Sequence, residues 1–250
     1  MLSHPLRAIG TLVVFLVAAS APTGCGDGGR ERVTVLAASS LTSVFADIET
    51  AFEAAHPDVD LVVSSGGSPS LAAQAADRAP ASLLITADDR SMATAVDSGV
   101  VDGDPVPIAT NHVVLARSRD ATAVDSPQDF ARSAPIIVLC APEVPCGASA
   151  VELLDALGVD ADADSLESSV RAVVTRLRLG EADAGIVYRT DVEDADGAIE
   201  IIETGMPATV GSVRYLAAAL TEAPGGATLL DFIAGDEGRR LLADHGFGPP

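Results

Sequence analysis

Two hydrophobic rhythms alternate along this chain: short continuous apolar runs, and longer stretches with apolar residues at helical spacing. Val33–Leu36 is a compact apolar run and reads as a strand. After Ser39 and Ser40, the positions Leu41, Val44, Phe45, Ile48 and Phe52 line one face of a helix, which His56-Pro57 ends. Val59–Val63 is the next strand, 64–70 a Ser/Gly-rich loop, Leu71–Ala79 a short helix and Ser82–Thr86 a strand. A helix over Asp89–Asp97 follows, with Gly99 just past its end. Strand and helix in alternation imply parallel β/α layers.

The Pro/Gly/Asp-rich stretch Val101–Pro107 reads as a junction, after which the alternation restarts. Strands are predicted at His112–Arg117, Ile136–Leu139, Ala184–Tyr188, Ile199–Ile202 and Val213–Leu220, with a second junction near Gly211. Helices are predicted at 126–131, 148–157, 167–179, 228–234 and 236–244, and the segment 140–147 is a loop. No internal repeat is present. The pattern predicts two α/β units, with the C-terminal end returning to the first.

The first residues follow a different logic. Met1–Ser20 has a short n-region with Arg7 and an apolar run, Leu12–Ala19, too short to span a bilayer but suited to an export signal. Ala19-Ser20-Ala21 has the form of an ordinary cleavage site, but Pro22 would follow the cut. Thr23-Gly24-Cys25 resembles a bacterial lipobox, with Pro22 where Leu is usual, and is the preferred reading. Residues 1–24 are then a lipoprotein-type signal peptide, Cys25 the lipidated residue and 25–32 a tether. The mature protein is exported and held to the membrane from outside by its lipid. Two cysteines remain, Cys140 and Cys146, which in an oxidising compartment either close a small disulfide loop or stand as free thiols.

Composition narrows the function. The 250 residues are 48% hydrophobic, enough for a real core. The formal charge is −21, and loss of Arg7 with the signal makes it −22 (−21 − 1), which argues against a nucleic-acid partner. All 15 basic residues are Arg, so any chemistry needing a phosphate-loop or Schiff-base Lys is excluded. Gly67-Ser68 does not complete a nucleophile elbow, and His4, His56, His112 and His245 have no metal-ligand neighbours at useful spacing. The acidic runs around Asp160-Asp162-Asp164 and Asp194-Asp196 fail the full calcium-loop count and read as solvated loops. No cofactor is expected.

Three places share one design, in which a strand ends, small residues follow and a helix begins. They are Ala38-Ser39-Ser40-Leu41, Gly67-Ser68-Pro69-Ser70 and Pro145-Cys146-Gly147-Ala148. Each exposes main-chain N–H groups with no helical partner, which suits an anion. Taken singly, each is better read as a plain helix cap than as a ligand site.

These segments occur in a telling order with Leu84-Ile-Thr-Ala-Asp88, Val170-Arg171, Gly185-Ile-Val-Tyr188 and the tail Gly238–Phe247. Together, over about residues 33–248, they resemble the periplasmic molybdate-binding proteins of molybdate ABC transporters. The resemblance implies an α/β fold of the two-lobed, type II periplasmic-binding-protein kind, each lobe a sheet flanked by helices, with the ligand in the interlobe cleft. It divides the chain into 33–108 plus 216–250 as one lobe and 109–215 as the other.

It further implies a ligand set of Ser40, Ser68, Cys146, Val170 and Tyr188. Ser40 and Ser68 give hydroxyl and main-chain donors, Cys146 and Val170 main-chain N–H, and Tyr188 its hydroxyl. The metal is reached only through the oxygens of molybdate or tungstate. The implied partners are an ABC permease with its ATPase, and the implied receptor is a monomer and not an enzyme. Two positions depart from the family pattern: Cys146 stands where Ala is frequent, and Ser82 where Asp is common. The ligand carboxylates of tungstate-selective relatives are missing. A receptor for another tetrahedral oxyanion such as sulfate, and an exported hydrolase using Tyr188 or a Ser, are the competing readings.

Overall fold

The computed structural model describes residues 30–250, so the signal segment, Cys25 and most of the expected tether lie outside the described residues. The chain forms nine strands and eight α-helices among those residues. In the first half, β1 (Glu31–Ala38) leads through a 3-10 turn at Ser39–Leu41 into α1 (Thr42–Ala55). Then come β2 (Val59–Gly66), α2 (Ser68–Ala76), β3 (Leu83–Thr86) and α3 (Asp89–Asp97). β1 pairs in parallel with both β2 and β3, as the βα alternation requires. In α1 the apolar face foreseen from spacing is the buried one: Val44, Phe45, Ile48 and Phe52 are all in the core.

The next strand, β4 (Val101–Ser118), joins the two lobes. It runs through the stretch 101–107 expected to be a junction. Pro105 and Pro107 are accommodated because the pairing slips between Asp102 and Val106 and again between Pro107 and Ala109, and at such bulges a missing N–H breaks no ladder bond. Up to His112, β4 pairs with β9 (Ser212–Leu220), which also pairs with β3. From Val113 onward its partner is β7 (Ala184–Tyr188), and near its end also β8 (Ile199–Ile202). The second lobe is completed by β5 (Ile137–Cys140), α4 (Pro145–Leu157), β6 (Ser165–Glu167), α5 (Val170–Leu179) and α6 (Arg189–Glu193). β5 pairs in parallel with β6 and β7. The helix predicted over 167–179 is therefore a short strand, a Ser168-Ser169 turn and a shorter helix. Ser169 adopts extended backbone at the helix cap, and Ser is a poor helix interior residue.

After β9 the chain stays with the first lobe. α7 (Gly226–Ala234) approaches so closely that a Cβ on Gly226 would lie 1.9 Å from the Ser82 carbonyl oxygen. α8 (Asp236–Asp244) packs near α1, where His245 Nε2 and Asp47 Oδ2 are 2.8 Å apart and Phe232 meets Phe52 edge-on at 5.3 Å. Phe247 meets Tyr215 of β9 at 5.5 Å, also edge-on. Among the described residues no helix is long and apolar enough to cross a membrane.

Candidate functional site: a cleft of neutral donors between the lobes

Six strand ends, three from each lobe, feed helix or 3-10 starts that converge on one small cleft. From the first lobe come Ser39 and Ser40 after β1, Gly66–Ser68 between β2 and α2, and Ala87 after β3. From the second come Val144–Cys146 at the start of α4, Ser169 and Val170 at the start of α5, and Tyr188 at the end of β7. All five residues named from the sequence, Ser40, Ser68, Cys146, Val170 and Tyr188, line it. The cleft holds about 220 Å³ of empty space counted out to its mouth. Its enclosed cavity volume is only about 10 Å³, far below the 300–1,000 Å³ usual for drug-sized ligands, so the cleft is narrow and suits only a small guest. No Asp, Glu, His or Arg is among its lining residues.

Several of the polar groups inside are main-chain donors left without protein partners. Ser68, Cys146 and Val170 occupy the first turns of α2, α4 and α5, where main-chain N–H groups have no helical acceptor. Among the described residues none of these three N–H groups finds a protein acceptor. Pro at the first position of α4 and the second of α2 removes an N–H that would otherwise be orphaned there.

The hydroxyls are oriented from behind. Ser68 Oγ, 2% exposed, accepts the Ala87 N–H at 3.0 Å, which leaves its own O–H to donate elsewhere. Ser40 Oγ lies 2.7 Å from the Tyr215 hydroxyl on β9. Tyr188, 2% exposed, carries the one buried side-chain polar atom among the described residues that lacks a hydrogen-bond partner, its Oη. Leaving such a group unpaired in the interior costs about 1–3 kcal/mol, so this phenol is poised for a partner the chain does not supply. Burial first, and then the nearby Tyr215, Asp191 and Asp88, push its pKa well above the ordinary value, so the proton stays on as a donor.

A second layer fixes Tyr188. Asp191 Oδ2 accepts the Tyr188 N–H at 2.9 Å, and Asn111 Nδ2 donates to Thr190 Oγ1 at 2.9 Å. Burial raises the Asp191 carboxyl to about 7, opposed in part by that N–H bond and by Arg171. On the second lobe, Cys146 Sγ is bonded to Cys140 Sγ at the end of β5, which ties the first turn of α4 to the strand before it. The lobes touch at Gly67, where a Cβ would lie 2.3 Å from the Ser168 carbonyl oxygen.

The other sequence candidates lie elsewhere. His112 lines a separate cavity with Arg189 and Met206, and burial with the Arg189 charge lowers its pKa. Asp164 is occupied in accepting the Ile137 N–H at 2.8 Å. Ser82 is fully buried, its Oγ 3.3 Å from the Thr34 N–H, so it serves strand packing. Sequence reasoning missed Tyr215, Ala87 and Ser169. For Tyr215 no local signal existed, because it lies 175 positions from the Ser40 it orients. Ser169 had one: a Ser just before an amphipathic run is a helix-start signature.

Comparison with known proteins gives this geometry a context. Residues 33–248 match the family of bacterial extracellular solute-binding proteins. A molybdate-binding protein of Mycobacterium tuberculosis is 33% identical over 237 residues, covering 93% of this chain and 90% of that one. The molybdate-binding protein of Escherichia coli is 30% identical over a 257-residue alignment covering 95% of each. The periplasmic molybdate-binding protein of Azotobacter vinelandii superposes with a TM-score of 0.73 over 87% of this chain and 99% of its own, at 20% identity. The two-lobed architecture is accordingly the type II periplasmic-binding-protein fold. The chain belongs to the bacterial extracellular solute-binding proteins, in the molybdate-binding family.

Proposed function

We propose that this protein captures molybdate outside the cell and hands it to an ABC permease driven by its ATPase. The observation that carries this reading is the buried Tyr188 hydroxyl, unpaired, in a cleft with the free N–H groups of Ser68, Cys146 and Val170 and no charged lining residue. A tetrahedral dianion offers four oxygens that only accept, and neutral donors at helix starts satisfy them without an ion pair. Each charge-assisted bond contributes roughly 1.5–3 kcal/mol net. A handful of them supports about −8 kcal/mol or better after desolvation and closure, which is micromolar or tighter.

The donors come from both lobes, so the ion completes its shell only when the lobes meet. The lobe limits 33–108 with 216–250 and 109–215 belong to this proposal. Movement is expected where β4 leaves β9 for β7, near 112–113, and where the chain enters β9, near 211–213. Tungstate, nearly isosteric with molybdate, competes for the same donors. Protonated phosphate is disfavoured, because no carboxylate lines the cleft to accept its O–H strongly. Sulfate has the same hydrogen-bonding needs as molybdate and is rejected by size alone. The site binds without turnover: among its lining residues no base stands beside a nucleophile. Export with lipidation at Cys25, and a monomeric receptor, complete the proposal.

Isothermal titration of the mature protein with molybdate, tungstate, sulfate and phosphate tests it. The expected result is submicromolar binding of the first two and far weaker binding of the others. Sulfate binding as tight as molybdate would overturn the selectivity, and no binding of any oxyanion would overturn the reading.

A further inference from the structure

A cleft of neutral donors holds a dianion at contact but attracts it poorly from a distance, and the mature chain around it carries −22 (−21 less the +1 of Arg7). The arrangement of arginines bears on this. In the described residues, Arg30, Arg32, Arg78, Arg117, Arg132, Arg176, Arg189, Arg214 and Arg240 are in ion pairs, as expected where acids outnumber bases. Arg90, Arg119, Arg171, Arg178 and Arg239 are in none among those residues, and of these Arg171 and Arg90 stand at edges of the cleft.

Arg171 lines the open mouth that shares Ser39, Gly66 and Ser169 with the cleft, and it directly follows Val170. Arg90 lies beside Pro69 and Glu143, the chain neighbours of the cleft residues Ser68 and Val144. One arginine comes from each lobe. Each is exposed and is the second residue of its helix, α5 or α3. A cation in the first turn opposes the helix dipole, so neither position favours its own helix. Arg90 also donates to the Glu143 carbonyl oxygen on the other lobe.

We propose that Arg171 and Arg90 draw the oxyanion to the cleft, setting the rate of association rather than the strength of the bound state. This rests on the oxyanion reading above. Arg171 is the purer case, because it makes no bond across the lobes among the described residues. Arg90 also braces the closed form through Glu143. The one acid lining the mouth, Glu181, opposes Arg171; Arg176 there is engaged with Glu167 at 2.8 Å.

Stopped-flow mixing with molybdate at low and high ionic strength tests this. For Arg171→Gln the association rate constant should fall roughly three- to fivefold at low salt, with the dissociation rate constant unchanged and the loss shrinking as salt rises. Arg171→Lys should keep the wild-type rate, since charge and not fork geometry is at work. Glu181→Gln should raise it, and Arg90→Gln should lower it while also speeding dissociation. An association rate unchanged in the Arg90→Gln/Arg171→Gln double variant at low salt, with wild type binding molybdate normally, would overturn the inference alone. If wild type itself binds no oxyanion, the underlying reading fails instead.

Discussion

The two lobes build their halves of the cleft differently. The first adds to the main-chain N–H of Ser68 two serine hydroxyls, each aimed by a partner behind it: Ser40 by Tyr215, and Ser68 by the Ala87 N–H. The second relies mainly on main-chain N–H groups at Cys146 and Val170, whose side chains are incidental to donation, and adds one phenol, Tyr188. A hydroxyl must be placed by its neighbours, whereas a main-chain N–H is placed by the helix it starts. The first half should therefore be vulnerable to side-chain substitution. The second should be vulnerable only at Tyr188 or where the backbone itself is disturbed.

The sharpest break in that contrast is the double variant Ser40→Ala/Ser68→Ala. Each single change is expected to weaken molybdate binding by about 1–3 kcal/mol, and the pair by more than either, as read by titration calorimetry. Unchanged affinity in both singles would remove these residues from the site. Tyr188→Phe comes next, with a loss of roughly 1.5–3 kcal/mol in affinity. Its ligand-free melting temperature should hold or rise, because the substitution deletes an unpaired buried hydroxyl. A matching fall in ligand-free stability would show that the phenol serves the fold instead.

A smaller effect is expected from Asp191, the carboxyl behind Tyr188. Its pKa is raised by burial from 3.8 to about 7, so the folded protein holds a proton that the unfolded chain releases. That part of the stability is fully present below about pH 4 and is lost as pH rises through 7. Urea unfolding of Asp191→Asn should lack this decline, and its molybdate affinity should also vary less between pH 6 and 8. An identical pH profile in the variant would show that Asp191 does not titrate there. The smallest affinity change is expected for Val170→Ala, within about threefold, since the N–H remains. A loss as large as that of the serines would erase the contrast between the lobes.

Much of the fold was legible because it depends on short-range pattern. The α1 face, the strand at Ala184–Tyr188 and the helix at Asp89–Asp97 follow from apolar spacing and end signals. The continuous β4 strand was not legible, since Pro105 and Pro107 signal a break wherever the pairing around them is unknown. The turn at Ser168-Ser169 was hidden for a related reason: three residues of β6 are too few to show a period.

The sequence by itself determined which residues could donate, because small residues between a strand end and a helix start leave N–H groups free wherever the helix lies. The absence of lysine and the −21 charge likewise fixed which partners and chemistries to discard. Only the tertiary structure decided that these donors face one cleft, that Tyr215 aims Ser40 and that the Tyr188 hydroxyl is buried without a partner. These are contacts between residues far apart in the chain. They arise from how β4 and β9 cross between lobes, and no local run of residues encodes that crossing.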